Sequence, residues 1–134
     1  MTLRAVIRST GAYLPEKILT NQDLEKMVDT TDEWIVQRSG IRQRHIAAKD
    51  QATSDLAIAA AQVALKNAKL TGADIDGIIV ATTTPDETFP AVAVKVQKAL
   101  DIPNCPAFDI QAVCTGFVYA LSVANSFILT GQAR

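Results

Sequence analysis

From Ile110 to Ala133 the chain carries no charged side chain, a run of 24 residues and therefore long enough to cross a bilayer. Gln111, Thr115, Ser122, Asn125, Ser126, Thr130 and Gln132 are spread through the run rather than gathered at its ends, and each would be a cost in hydrocarbon. The segment is therefore expected to be a helix buried on most of its surface, not a membrane span. Such a helix needs layers of other structure on either side of it.

The rest of the chain supplies them. Leu3 to Thr10 reads as a strand, ended by Gly11 and Pro15. Asn21 suits the N-cap of a short helix through Val28, and Thr30 with Glu33 has capping-box spacing for a second helix through Ser39, stopped by Gly40. From Thr53 or Ser54, apolar side chains at Leu56, Ala59, Ala60, Val63 and Ala64 repeat with helical period, and the pattern stops near Leu70 before Gly72. Gly77-Ile-Ile-Val-Ala has the consecutive β-branched residues of a parallel strand covered on both faces. Pro90 suits the first turn of a further helix, whose Val92, Val96, Ala99 and Leu100 face one way. A last strand, Pro106 to Ile110, leads through AVCTG into a helix from about Gly116 to Thr130, capped by Gly131. The order β, short helices, α, β, α, β, α predicts an α/β layered architecture.

Composition narrows the function classes. The 134 residues suffice for one globular core, and 13 basic against 14 acidic side chains give no bulk electrostatic reason to expect nucleic acid or an anionic membrane as partner. MTLRAVIRST interrupts its apolar residues with Arg4 and Arg8 and builds no secretory signal, so a cytoplasmic address is the expectation. Cys105 and Cys114 fit neither a disulfide scaffold nor a paired metal site, and with one histidine they make no ligand set, so no metal is expected.

Cys114 sits between small residues, AVCTG, where a buried strand hands over to a helix N-terminus. Three roles compete there: a buried structural thiol, half of a disulfide, or a nucleophile. Backbone N–H groups and the positive end of the helix dipole favour a thiolate at such a place and could hold an oxyanion, while Gly116 and Ala112 leave room for a substrate carbonyl. A small buried hydrophobe at a tight turn explains the same residues. Cys105, before a proline and away from the helix, reads as structural. Upstream, Arg38, Arg42, Arg44 and the chain's one histidine, His45, form a basic cluster. It is either a solvated turn or a phosphate site, with Trp34, four residues before Arg38 on a helix, offering a flat ring to an adenine.

Three stretches carry a resemblance. DLEKMVDTTDEWIVQRSGIRQRHIA (Asp23 to Ala47), ATTTPDETFP (Ala81 to Pro90) and CPAFDIQAVCTGFVYAL (Cys105 to Leu121) together resemble the N-terminal part of a β-ketoacyl-acyl carrier protein synthase III, a thiolase-fold condensing enzyme of bacterial fatty acid synthesis. The resemblance implies the N-terminal part of a thiolase-like layered fold, a mixed sheet with helices on both faces. Residues 1–134 would then be an incomplete half-domain whose C-terminal half lies beyond this chain. It implies that Cys114 is the nucleophile, taking an acetyl or similar acyl group from a coenzyme A thioester and passing it to malonyl-acyl carrier protein with loss of carbon dioxide. Trp34 and Arg38, with Thr30 nearby, match the coenzyme A contacts, and Phe89 matches a residue that lines the partner's acyl pocket in a homodimer. Coenzyme A enters as substrate, so no separate cofactor is implied.

The same resemblance places the catalytic histidine and asparagine beyond Arg134, and His45 matches neither of them. Two other readings stay open: a related thiolase-fold synthase using another acyl donor, for which Val113 and Thr115 would trim the pocket, and a structural or interaction fragment without a complete catalytic set. If the chain ends at Arg134, part of the last helix would lie in water and favour association.

Overall fold

The computed structural model describes residues 4–134, which divide into two compact units, Leu14–Gln51 and a larger one of the residues up to Tyr13 together with Ala52–Arg134. The smaller unit runs β1 (Lys17–Thr20), α1 (Asn21–Glu25), α2 (Asp32–Ser39) and β2 (Gln43–Ile46), with β1 and β2 antiparallel and Lys17 opposite Ile46. The larger contains α3 (Thr53–Ala68), β3 (Ile78–Ala81), α4 (Val92–Ala99), β4 (Ala107–Ile110) and α5 (Gly116–Leu129). β3 and β4 are parallel, with Ile78 opposite Ala107.

Both faces of the parallel pair are covered, as the β-branched run in β3 predicts, and β4 shows how. Successive side chains on a strand point to opposite faces. Phe108 packs its ring 6.1 Å from that of Phe127 on α5, while its neighbour Asp109 accepts the N–H groups of Val92 and Ala93 on α4 at 2.8 and 2.9 Å. α5 and α4 thus lie on opposite faces. The core of this unit gathers Val92, Ala93, Val96, Ile102 and Ala120; in the smaller unit Ile35 and Pro15 are buried. Parallel and antiparallel pairing occur in separate two-stranded sheets.

Several local expectations are corrected. Residues 4–10 form no strand, and Leu3 lies outside the described residues. A strand needs a ladder partner, and this segment instead runs along α3: Ser9 Oγ donates to Ala64 O at 2.8 Å and Asn67 Nδ2 to Thr10 O at 2.9 Å. At Gly11 the chains touch so closely that a Cβ would stand 2.3 Å from Ala60 O. This is the close approach that the alanine-rich face of α3 allows, although Val63, expected on that face, is exposed.

The caps shift by a residue. Thr20, not Asn21, caps α1, exchanging hydrogen bonds with Asp23 in a capping box, and Asn21 is wholly buried. Thr31, not Thr30, caps α2, its hydroxyl accepting the Trp34 N–H at 3.1 Å, and Gly40 ends that helix at φ 73°. Pro90 precedes the cap of α4 rather than opening its first turn, and Ala99 is exposed while Ala93 takes its place in the buried face. The antiparallel pairing of β1 with β2 across the two helices has no counterpart among the expected elements. Its strands have four residues each, too short for an alternating pattern to stand out.

α5 matches its expected bounds, with Thr130 and Gly131 (φ 74°) closing it. It is not buried on most of its surface: Phe117, Val118, Tyr119, Leu121 and Leu129 are exposed, and only Gly116 and Ala120 are fully covered. Among the described residues no helix is long and apolar enough to cross a membrane.

Candidate functional site

Cys114 lies in a 3-10 turn, Val113–Thr115, that joins β4 to α5. Its side chain is exposed in this chain and forms no disulfide with Cys105. The turn is closed by Thr115, whose N–H and hydroxyl both donate to Ala112 O, at 3.0 and 2.8 Å. Val113 stands at φ 46°, in the left-handed region that a β-branched residue rarely enters, and its side chain is 75% exposed, so packing does not account for it. Behind the turn Gly116 is buried, and a Cβ there would sit 3.3 Å from that of Ala81 on β3. The missing side chain lets α5 start close against the sheet.

Cys105 contrasts with it. Half-buried at the start of the last strand segment, it receives Gln97 Nε2–H at its sulfur and at its carbonyl, both at 3.4 Å. A recess of about 380 Å³ between α5 and β3 is lined largely by apolar groups such as Ile79, Phe117, Leu121 and Phe127. Phe89 stands on the loop between β3 and α4, 84% exposed, before the cis bond to Pro90.

The smaller unit assembles the other predicted residues. Arg38 lies one helical turn after Trp34, and its guanidinium sits 4.8 Å over the indole centroid, a cation–π stack that leaves Trp34 half exposed. Trp34 also lines a recess of about 300 Å³ with Asp29, Thr30 and Thr31. Thr30 lies in the loop before α2, Trp34 in its first turn and Arg38 in its last, while Cys114 and Phe89 belong to the larger unit. Arg42, Arg44 and His45 do not join the stack as one cluster. Arg44 and His45 are on β2, and His45 Nδ1–H donates to the carbonyl of buried Pro15 at 2.6 Å, a structural role.

Two residues matter here in roles the sequence does not suggest: Asn21, expected only as a cap, and Glu25. Asn21 is the buried center of the smaller unit's polar contacts, and Glu25 accepts the Asp32 N–H at 2.6 Å at the start of α2. The available signal was their i, i+4 spacing on α1, which places both on one face. Among the described residues no group of three metal-ligating side chains gathers.

The chain presents this exposed thiol at a βα junction of an α/β layered fold, and its structural likeness is to the N-terminal portion of thiolase-like folds. Along its whole length the chain is similar to proteins named β-ketoacyl-[acyl-carrier-protein] synthase III. The family pattern described as 3-oxoacyl-[acyl-carrier-protein (ACP)] synthase III matches residues 108–134, the stretch that holds Cys114. Proteins named β-ketoacyl-[acyl-carrier-protein] synthase III from Rhodospirillum centenum and Thioalkalivibrio sulfidiphilus are 58% and 62% identical to it, over 100% and 97% of the chain. The chain spans only 42% and 40% of the length of those two relatives. Among solved structures, the 3-oxoacyl-[acyl-carrier-protein] synthase III of Aquifex aeolicus superposes with a TM-score of 0.90 at 49% identity, covering 96% of this chain and 41% of that one. The priming β-ketosynthase of the R1128 polyketide pathway also superposes at 0.90, with 33% identity, covering all of this chain and 41% of its own.

Proposed function

We propose that this chain is the N-terminal part of a thiolase-fold condensing enzyme that joins a short acyl group, acetyl first among them, to malonyl-acyl carrier protein. The observation that carries the reading is the exposed Cys114 thiol on the turn between β4 and α5, within a sequence matched end to end by synthases of this name. In the first half-reaction the sulfur of Cys114 attacks the thioester carbonyl of acetyl-coenzyme A. A new S–C bond forms, the old one breaks, and coenzyme A leaves as the thiol with the proton that Cys114 gave up. The Cys114 backbone N–H gives one of the donors that hold the tetrahedral oxyanion.

In the second half-reaction malonyl-acyl carrier protein loses carbon dioxide, and its α-carbon attacks the acyl-cysteine carbonyl and releases the Cys114 thiolate. Groups that stabilise the carbanion come from the remaining length of the protein. Trp34 stacks the adenine end of coenzyme A, Arg38 meets its phosphates and Thr30 borders the site. Asp29 in the same recess repels phosphate, so the phosphates lie toward Arg38. Phe89, bare of neighbours that would cover it, enters the acyl pocket of a second copy in a homodimer. The enzyme works in the cytoplasm, on thioester substrates and without a bound cofactor.

A related synthase with another acyl donor is the second reading, favoured by the match to a priming ketosynthase. Both are tested by following carbon dioxide release from malonyl-acyl carrier protein in the full-length enzyme with acetyl-coenzyme A or longer acyl donors. Condensation with acetyl-coenzyme A that vanishes in Cys114→Ser supports the first. Turnover with longer donors only supports the second, and turnover that survives Cys114→Ser overturns both.

A further inference from the structure

Asn21 is 0% exposed, and every hydrogen-bonding group of its carboxamide is engaged. An amide side chain has two N–H donors and an acceptor oxygen. Its Nδ2 donates to Asp32 Oδ1 at 2.7 Å and to Ile41 O at 2.8 Å, and its Oδ1 accepts from Arg44 Nη1. Its own backbone N–H donates to Arg42 O at 3.4 Å. One buried amide thus ties the first residue of α2, the turn that follows α2, and β2. One turn along α1, Glu25 accepts the Asp32 backbone N–H at 2.6 Å, so the same face of α1 grips the start of α2 by side chain and by backbone.

Trp34 and Arg38 stand two and six residues beyond Asp32 on that helix. Their stack is itself exposed and has little packing to hold its place. A polar network with every member satisfied rigidifies what it joins, and a surface fixed before its ligand arrives loses less ordering entropy on binding.

We infer that Asn21 is a positioning residue for the binding of an adenine nucleotide, holding α2 so that Trp34 and Arg38 present one preformed face. The inference rests on the reading of these two residues as coenzyme A contacts, and it deepens that reading. Asn21 itself touches no substrate. Its loss weakens acyl-coenzyme A binding and leaves the chemistry of the bound complex alone.

The test uses the full-length enzyme and steady-state kinetics with acetyl-coenzyme A. Asn21→Asp sets a carboxylate against that of Asp32 and against Ile41 O, and the double variant Asn21→Asp/Asp32→Asn restores the bond between positions 21 and 32 but not the one to Ile41 O. The expected result is a KM for acetyl-coenzyme A raised about tenfold in Asn21→Asp, with kcat within about twofold, and part of the KM recovered in the double variant. Should Asn21→Asp not fold, Glu25→Gln, which weakens the same hold of α1 on the start of α2 from an exposed position, decides: a raised KM with kcat kept supports the inference, and an unchanged KM in a stably folded variant overturns it. An apparent kcat that falls in proportion to lost folded protein, with KM unchanged, also overturns it, as a purely structural role would give that. Arg38→Ala separates the two levels. If it leaves KM unchanged, the coenzyme A reading falls and this inference with it; if it raises KM while the Asn21 variants do not, the positioning role alone is wrong.

Discussion

The carboxylate of Asp109 on β4 caps α4 from across the sheet, accepting the Val92 N–H at 2.8 Å and, through its other oxygen, the Ala93 N–H at 2.9 Å. The residue at the N-cap position, Ala91, has no side chain that could do this. Val92 and Ala93 are wholly buried, so no water would replace the lost acceptor. Asp109→Ala is therefore expected to cost about 2–3 kcal/mol, a helix cap plus the burial of unpaired donors, and Asp109→Asn less because one oxygen remains. Urea denaturation of the full-length variants checks the order and the size.

Gly11 is the contact through which the N-terminal segment meets α3. A Cβ there would lie 2.3 Å from Ala60 O and 2.4 Å from Ala64 N, both backbone atoms that cannot swing aside. Gly11→Ala should destabilise by about 1–3 kcal/mol and loosen the Ser9–Ala64 and Asn67–Thr10 hydrogen bonds. Limited proteolysis reads this directly: cleavage within residues 4–13 should accelerate in the variant and leave α3 intact.

Asp86 gives the larger unit a sensitivity to acid. Burial pushes its carboxyl up, but the Ser54 N–H at 2.9 Å and the Lys95 ammonium at 3.1 Å outweigh this and hold it below the usual 3.8. Lowered in the folded state, it contributes stability that is present above about pH 4 and is lost as pH falls through the folded-state value. Asp86→Ala should therefore lie about 1–3 kcal/mol below wild type at neutral pH. The gap should narrow once the buffer is taken below the ordinary carboxylate range, and a gap independent of pH would contradict the assignment.

Val113 should tolerate glycine better than its own side chain. At φ 46° a β-branched residue stores about 1–3 kcal/mol, and glycine recovers part of it, less its own entropic cost in the unfolded chain. Val113→Gly is expected to raise the urea midpoint slightly. A lowered midpoint would mean that the side chain is held by contacts after all.

How much of this was legible in the sequence follows from what each signal depends on. β3, β4 and α5 were readable because consecutive β-branched residues, a short apolar run and glycines at either end of a helix are local marks that the fold keeps. Leu3 to Thr10 reads as a strand because a local pattern says only that a segment could join a ladder, and among the described residues no strand pairs with residues 4–10. Asn21 was misread for the opposite reason. Its position beside Thr20 suits a cap, but its role is set by Asp32, Ile41 and Arg44, partners 11 to 23 residues away that no local pattern reveals. At the candidate site the identity of Cys114 and the spacing of Trp34 and Arg38 were visible from residue types. The exposure of the thiol and the stacking of the arginine were not, because both depend on how the chain turns before α2 and α5.

The most direct test of the account is the mass of the peptides of the full-length enzyme after incubation with acetyl-coenzyme A, with and without a chase of malonyl-acyl carrier protein. The account predicts one acetyl group, on the peptide that holds Cys114, lost on the chase, absent in Cys114→Ser and unchanged in Cys105→Ser. An acetyl group on Cys105, or none on Cys114 in an enzyme that still turns over, would contradict it.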